Sequence, residues 1–361
     1  MSYVRRFDKR LTLIPNEIWS KITQIESIKG QWIAGNNLSP QFLGRLKRSI
    51  LITSTGASTR IEGSKMSDED VEKLMQGIAI QKFADRDSQE VKGYFELLQN
   101  VFESYEDINF SENAIKHFHQ ELLKYVDKDK FHRGKYKSKE NRVEMVDTNG
   151  KRIGVIFDTT PAYLTPKQMQ ELVEWTKNAL ENKKYHPLLI IGNFLVEFLS
   201  IHPFEDRNGR LSRILTNYLM LKVAYLYMPY VSHEKLIEDQ KPNYYIALRK
   251  TQKTLRTTYS SFGGKKEDIT FWLNFFLSVI LAQSKMAINL IKEEDIEDLL
   301  SPNQLSVWQY LQSINEASPD QIAKKAKVAR STVNQVLNKL LRLKRISRIG
   351  EGSSTRYKIK D

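Results

Sequence analysis

Between positions 202 and 213 the chain sets His202, Pro203, Phe204, Glu205, Asp206, Arg207, Asn208, Gly209 and Arg210 in a row, with Arg213 three residues on. Twelve positions thus hold an imidazole, two carboxylates, a small-residue turn and three guanidinium groups, at the mouth of a helical stretch. A helix N-terminus offers unpaired N–H groups and a positive dipole end to an anion. Arginines add forked, charge-assisted hydrogen bonds. An aspartate can hold Mg²⁺, and a histidine can accept a proton near neutral pH. Each residue alone is ordinary, and Asn-Gly is a common turn pair. Their joint spacing reads as a phosphate site with a proton acceptor beside it.

This run resembles the Fic family signature, His-Pro-Phe-x-Asp-Gly-Asn-Gly-Arg-x-x-Arg. It matches at His202, Pro203, Phe204, Asp206, Asn208, Gly209, Arg210 and Arg213, and departs from it at Arg207, where the family most often has glycine. Upstream, Ser58-Thr59-Arg60-Ile61-Glu62-Gly63 is similar to the family's inhibitory motif, Ser/Thr-x-x-x-Glu-Gly/Asn. Downstream, the segment from Pro242 to Leu248, with Tyr244 and Tyr245, resembles the Tyr-Tyr-x-x-Leu segment beside the nucleotide base. Gln252 falls where the family can place an amide that reads the adenine edge.

The resemblance implies transfer of AMP from ATP to a hydroxyl of a target protein or of the chain itself, with ATP and Mg²⁺ as the small-molecule partners. On that basis His202 takes the hydroxyl proton and Asp206 holds the metal ion. Asn208 and the backbone N–H groups from Arg207 to Gly209 cradle the α-phosphate. Arg210 clamps the phosphate tail and Arg213 the γ-phosphate. Ser58, Glu62 and Gly63 form the inhibitory motif, in which Glu62 pairs with Arg213 and denies it to the γ-phosphate. In some relatives the same glutamate serves removal of AMP, so a bifunctional enzyme stays open. Arg207 either points outward and adds charge or crowds the pocket. Altered but retained nucleotide binding is expected.

The elements that must position these residues are mostly helical. The first 40 residues read as mixed, with a break at Asn36 to Pro40. Apolar spacing predicts helices over Gln41–Ala57, Ser67–Gly77, Ser88–Tyr105 and Ser111–Tyr125. Two strongly apolar helices, Pro187–Ile201 and Leu211–Tyr227, bracket the signature, and Phe204 is its core anchor. A long helix from Glu267 to about Ile291 closes the body. The apolar run Phe275–Ala282 is too short to span a bilayer, so no membrane partner is expected.

Residues 143–157 alternate around Asp147-Thr148-Asn149-Gly150, a hairpin signal. In the family such a hairpin, the flap, holds the target's modifiable segment by strand pairing. A surface hairpin with no such task is the alternative.

Residues 302–361 read as a separate unit: helices over Pro302–Ile314, Ser318–Ala326 and Ala329–Leu343, then strands Ile346–Ile349 and Thr355–Ile359. This resembles a winged helix-turn-helix. From residue 301 onward twelve basic residues face four acidic ones, a net of +8 out of +13 for the chain. That excess suits DNA phosphates, although dimerisation or target docking is a second use of such a domain.

The expected fold is therefore mainly α: a helical N-terminal region (1–110) with the inhibitory motif, a helical Fic core (111–295) with a β-hairpin flap, and an α+β winged helix domain (302–361). The chain has 361 residues, 40% of them hydrophobic, and no cysteine. Disulfides, thiol nucleophiles and cysteine–zinc sites are excluded, and a cytoplasmic location is expected. Relatives often dimerise, so a homodimer stays open, with no interface legible. A reading from another class also stands, a DNA-binding regulator whose Fic body senses nucleotide.

Overall fold

The computed structural model describes residues 3–35, 38, 40–77, 85–146, 152–257, 267–297, 300–343, 345–350, 352 and 355–360. The chain divides into two compact units, Met1–Ile288 and Asn289–Asp361. In the first, the helices are α1 (Tyr3–Arg10), α2 (Asn16–Gly35), α3 (Pro40–Ile61), α4 (Asp68–Met75), α5 (Asp85–Ser104) and α6 (Glu112–Leu122). Strands β1 (Arg142–Val146) and β2 (Arg152–Asp158) follow, then α7 (Thr165–Glu181), α8 (Pro187–Ile201), α9 (Asn208–Lys222), α10 (His233–Asp239), α11 (Lys241–Thr257) and most of α12 (Thr270–Glu297).

Helix α8 is apolar on most of its surface, Asn193 and Glu197 apart, and is buried over nearly its whole length, packed between α7 and α9. It is the post on which the signature stands. Helix α5 packs against both α3 and α9, so three helices carrying polar residues of interest converge on one turn. Gly93 permits the close approach of α5 to α6, because a Cβ there would lie 2.2 Å from the Leu122 carbonyl oxygen. Local caps set several boundaries. Ser67 and Asp70 form a capping box on α4, and the Ser111 hydroxyl accepts the Ala114 N–H at the start of α6.

The first 40 residues correct the mixed reading, since they hold two helices. Ile18, Ile22, Ile25 and Trp32 give α2 a buried face at helical spacing. Helix α1 buries Phe7 against Trp175 and is held by charge as well. Arg10, buried, donates to Glu197 (2.8 Å), Asn193 (3.1 Å) and Glu267 (2.5 Å). Helix α9 begins at Asn208 and ends at Lys222, where Ala224 turns to a left-handed conformation. The reading of residues 275–282 also needs correction. Thr270–Ile291 is long and apolar enough, by length and composition, to cross a membrane. Half of its most apolar stretch is buried within the protein, with Trp272 donating to the Gly192 carbonyl of α8.

Strands β1 and β2 pair antiparallel from Arg142 opposite Asp158 to Val146 opposite Arg152, with two register shifts between. The expected turn at Asp147–Gly150 lies outside the described residues. In the second unit, α13 (Pro302–Gln312), α14 (Pro319–Ala326) and α15 (Arg330–Arg342) pack around Val307, Trp308, Ile322, Val333 and Leu337. Strands β3 (Ile346–Ile349) and β4 (Arg356–Ile359) form an antiparallel hairpin. Ala317 and Tyr357 exchange backbone hydrogen bonds of 3.0 and 2.9 Å, tying the α13–α14 link to β4.

Candidate active site

Helix α8 stops at His202, whose backbone is left-handed (φ 53°, ψ 60°). Helix α9 starts after Arg207, also left-handed (φ 58°, ψ 13°), whose side chain makes no capping hydrogen bond to the helix. Between them Phe204 is fully buried and stacks on His119, with ring centroids 4.0 Å apart and planes 8° apart. His119 is fixed in turn by accepting the Gly134 N–H at 3.0 Å on Nδ1. The turn is thus nailed down by aromatic packing before any polar contact is counted.

A second fastening comes from residues that sequence reasoning missed. Lys137 is buried, and its Nζ donates to the Ile201 carbonyl (3.1 Å), the Asn141 side-chain oxygen (2.8 Å) and the Thr159 hydroxyl (2.7 Å). Its backbone N–H donates to the Pro203 carbonyl at 2.9 Å. Asn141 donates to the Phe204 carbonyl at 2.8 Å. These bonds tie the ends of the β1–β2 hairpin to the signature turn. Burial pushes the Lys137 amine down to about 8.

The His202 imidazole is held down at about 4, mainly by burial and secondarily by the Lys137 charge. It is therefore neutral at physiological pH, as a proton acceptor must be. Its Nδ1 lies 3.4 Å from the Leu199 carbonyl, which can only accept. That contact favours the tautomer protonated on Nδ1, with the basic lone pair on Nε2.

Arg213 is buried on α9. Its Nε donates to the Ser58 hydroxyl (2.8 Å), and its Nη2 donates to the Ser58 carbonyl (3.0 Å) and to the Glu62 carboxylate (2.8 Å). Burial opposes the Arg213 charge and Glu62 more than offsets it, so the guanidinium is held firmly protonated. For Glu62, burial works against the charge. Arg213, Arg210 and Arg207 outweigh it and hold the carboxyl below its ordinary value. Gly209 makes the contact sterically feasible, because a Cβ there would lie 2.5 Å from the Glu62 Oε1. Gly63, left-handed at φ 100°, turns the chain away just after Glu62.

Asn208 and Arg210 differ from expectation in the partners they keep. The Asn208 amide was expected on a phosphate. It is spent on the turn, accepting the Phe204 N–H (3.0 Å) and donating to the Phe204 carbonyl (2.9 Å). Arg210 was expected as a phosphate clamp, and it donates to Glu90 of α5 at 2.8 Å. Arg207 donates to the same carboxylate, as does Arg86 at 2.9 Å. Glu90 is the chief residue that the sequence reading overlooked. The only available signal was Arg207 itself, a buried cation in want of a counter-charge.

Asp206 lies 3.4 Å from Arg207 and 3.6 Å from Arg86. Ligand atoms of Asp206, Asp129 and His132 all lie within 4.8 Å of one another, a donor set that could hold a cation. Tyr244 is buried against Trp272 and Phe275 and lines, with Arg213, a small apolar cavity. Tyr245 packs edge-on to it at 5.1 Å. Gln252 is buried with both amide atoms unpartnered and makes no hydrogen bond to the turn.

Buried polar atoms without partners test what the site lacks. Arg207 Nε, Arg210 Nε and Arg213 Nη1 are three such guanidinium N–H groups around the uncapped start of α9, and Asp206 Oδ1 is a buried acceptor of the same kind. The donors fit an anion and the acceptor fits a cation or a donor.

Residues 109–220 match the sequence profile of the Fic/DOC family. The chain carries a Fic domain. A probable protein adenylyltransferase of Aquifex aeolicus (strain VF5) is 25% identical over 277 residues, which cover 74% of this chain and 77% of that protein. A Fic family protein from Desulfovibrio desulfuricans G20 has a similar fold, with a TM-score of 0.61 and 24% identity over 96% of this chain and 97% of that one. A Fic domain containing signaling protein from Bacteroides thetaiotaomicron gives a TM-score of 0.62 and 22% identity over 75% and 97%. The Fic profile covers α8, the signature turn and most of α9. Glu62 and Glu90 lie upstream of it.

Proposed function

We propose that this chain is a protein adenylyltransferase that moves AMP from ATP to a hydroxyl side chain of a protein. The observation that carries the reading is the set of unpartnered, buried N–H groups on Arg207, Arg210 and Arg213 around an uncapped helix start, beside a neutral His202. Those donors suit phosphate oxygens. The name borne by the Aquifex relative supports the same reaction. In the transfer, His202 Nε2 takes the proton of the attacking hydroxyl. The hydroxyl oxygen bonds the α-phosphorus, and the bond to the departing pyrophosphate breaks. The backbone N–H groups at the start of α9 and the three guanidiniums hold the phosphate oxygens, so catalysis rests on placement and charge. Asp206 would hold Mg²⁺, with Asp129 and His132 near it; the ion offsets phosphate charge when bound.

Glu62 is the brake on this reading. Its 2.8 Å pair with Arg213 occupies a guanidinium that the γ-phosphate needs. The β1–β2 hairpin, tied to the turn through Lys137 and Asn141, presents the target for strand pairing. The decisive experiment is labelling with ATP and Mg²⁺. Glu62→Gly should label itself far more than the parent, and adding His202→Ala should cut that labelling about 10²–10⁴-fold. No label in Glu62→Gly refutes the transferase.

A second role is carried by the other unit, which we read as a winged helix that binds DNA. Helix α15 buries Val333, Val336, Leu337 and Leu340 and exposes Arg330, Ser331, Asn334, Gln335 and Asn338, groups able to contact phosphates and base edges. Salt-sensitive DNA binding, lost when residues 302–361 are removed, is the expected result.

A further inference from the structure

The turn gathers four guanidiniums, and the brake accounts for one of them. Glu62 holds Arg213. The other three share Glu90, which is almost wholly buried on α5. Its Oε1 accepts from Arg207 and from Arg86 (2.9 Å), and its Oε2 accepts from Arg210 (2.8 Å). Three guanidiniums converge on this one carboxylate, so the cluster needs its negative charge. Arg207 and Arg210 each give Glu90 an Nη and keep a buried, unpartnered Nε–H.

We propose that Glu90 determines the affinity of the site for the phosphate chain: it is a built-in counter-ion that competes with an entering polyphosphate for Arg207 and Arg210. The inference rests on reading the turn as a triphosphate site and adds a residue to it. A phosphate approaching the two Nε–H groups meets the fixed negative charge of Glu90 beyond the same guanidiniums. In a site screened from water that repulsion is strong. The left-handed backbone of Arg207 gives independent support. That conformation costs most residues energy and favours glycine. An arginine persists there when its side chain is held, and Glu90 is what holds it. Glu90 hydrogen-bonds to different arginines from Glu62, which pairs with Arg213 alone.

The test is calorimetric titration of the full chain with inorganic tripolyphosphate at low ionic strength. Glu90→Gln keeps the shape and removes the charge, so it should bind about tenfold or more tighter than the parent. Glu62→Gly/Glu90→Gln should likewise bind tighter than Glu62→Gly, because Glu90 still holds Arg207 and Arg210 when Glu62 is gone. Glu90→Asp, which keeps the charge, should show no such gain. Equal or weaker binding by Glu90→Gln, or an equal gain in Glu90→Asp, overturns the proposal. Should Glu90→Gln be poorly folded, tripolyphosphate must raise its melting temperature more than that of the parent; no larger rise also overturns it. A Glu62→Gly protein that binds tripolyphosphate but not ATP would sink the adenylyltransferase reading and leave the role of Glu90 to be decided by the same titrations.

Discussion

Glu62 lies just past the end of α3 with about a third of its side chain exposed (35%), whereas Glu90 lies inside α5 with only 5% exposed. Both carboxylates face arginines of the same turn. Glu62 meets one guanidinium that keeps two further bonds to Ser58, so losing the pair leaves Arg213 partly satisfied. Glu90 meets three guanidiniums, two of them on the turn itself. A contact at a helix end can open without disturbing the core, and that is the setting a displaceable brake requires. One in mid-helix is structural as well as electrostatic, since the helix cannot withdraw it without repacking against α3 and α9.

That contrast can be broken most directly by measuring stability. Glu90→Ala leaves buried guanidiniums without their counter-charge and should cost about 3–5 kcal/mol in urea denaturation. Glu62→Ala should cost about 0–1 kcal/mol, the usual range for a partly exposed pair. Equal losses would erase the distinction between brake and core carboxylate. A smaller effect sharpens it. In a double-mutant cycle, Glu90 and Arg207 should couple by about 1.5 kcal/mol or more, as close buried charge pairs do. Arg207→Gly should then stabilise the protein only where Glu90 is already neutral, because it relieves both the left-handed backbone and a crowded charge. A coupling near zero would mean that Arg207 is held by something else.

The comparison also marks how far the sequence could be read. The signature turn was legible because its residue types are contiguous, and the bracketing helix Pro187–Ile201 was legible because its apolar run is unbroken. Glu62 was legible through a short motif with its own spacing. Glu90 was not. A carboxylate beside Val91 and Tyr94 on an amphipathic helix looks like any boundary residue until α9 is packed against it. Lys137 and Asn141 escaped for the same reason, since the turn carbonyls they hold lie more than 60 positions away. The first 40 residues misled because α1 is short and its Arg10 is held by partners more than 180 positions away. The reading of Asn208 shows a further limit. Residue type and spacing put an amide at the turn, and only the folded geometry shows that it closes on Phe204.

The smallest effect concerns pH, and it tests whether the displaceable carboxylate stays charged. Glu62 is held below its ordinary value by Arg213, Arg210 and Arg207, so acidification must pass below the usual glutamate range before this carboxylate loses its charge. His202, held down at about 4, stays neutral over the same span. A depressed imidazole has a definite sign for stability. The unfolded chain takes up a proton near pH 6.5 that the folded chain refuses until about pH 4, so stability falls as pH drops through that window. The proposed activity behaves differently, because His202 and Glu62 both keep their forms. The ratio of Glu62→Gly labelling to parental labelling should therefore stay flat from about pH 5.5 to 7.5, measured on protein shown to be folded at each pH. A ratio collapsing toward the acid end through a rise in parental labelling would mean that Glu62 is protonating, and that its three arginines hold it less firmly than their geometry implies. A collapse through lost Glu62→Gly labelling would instead place the His202 titration near its ordinary value, with the imidazole better solvated than its place in the turn implies.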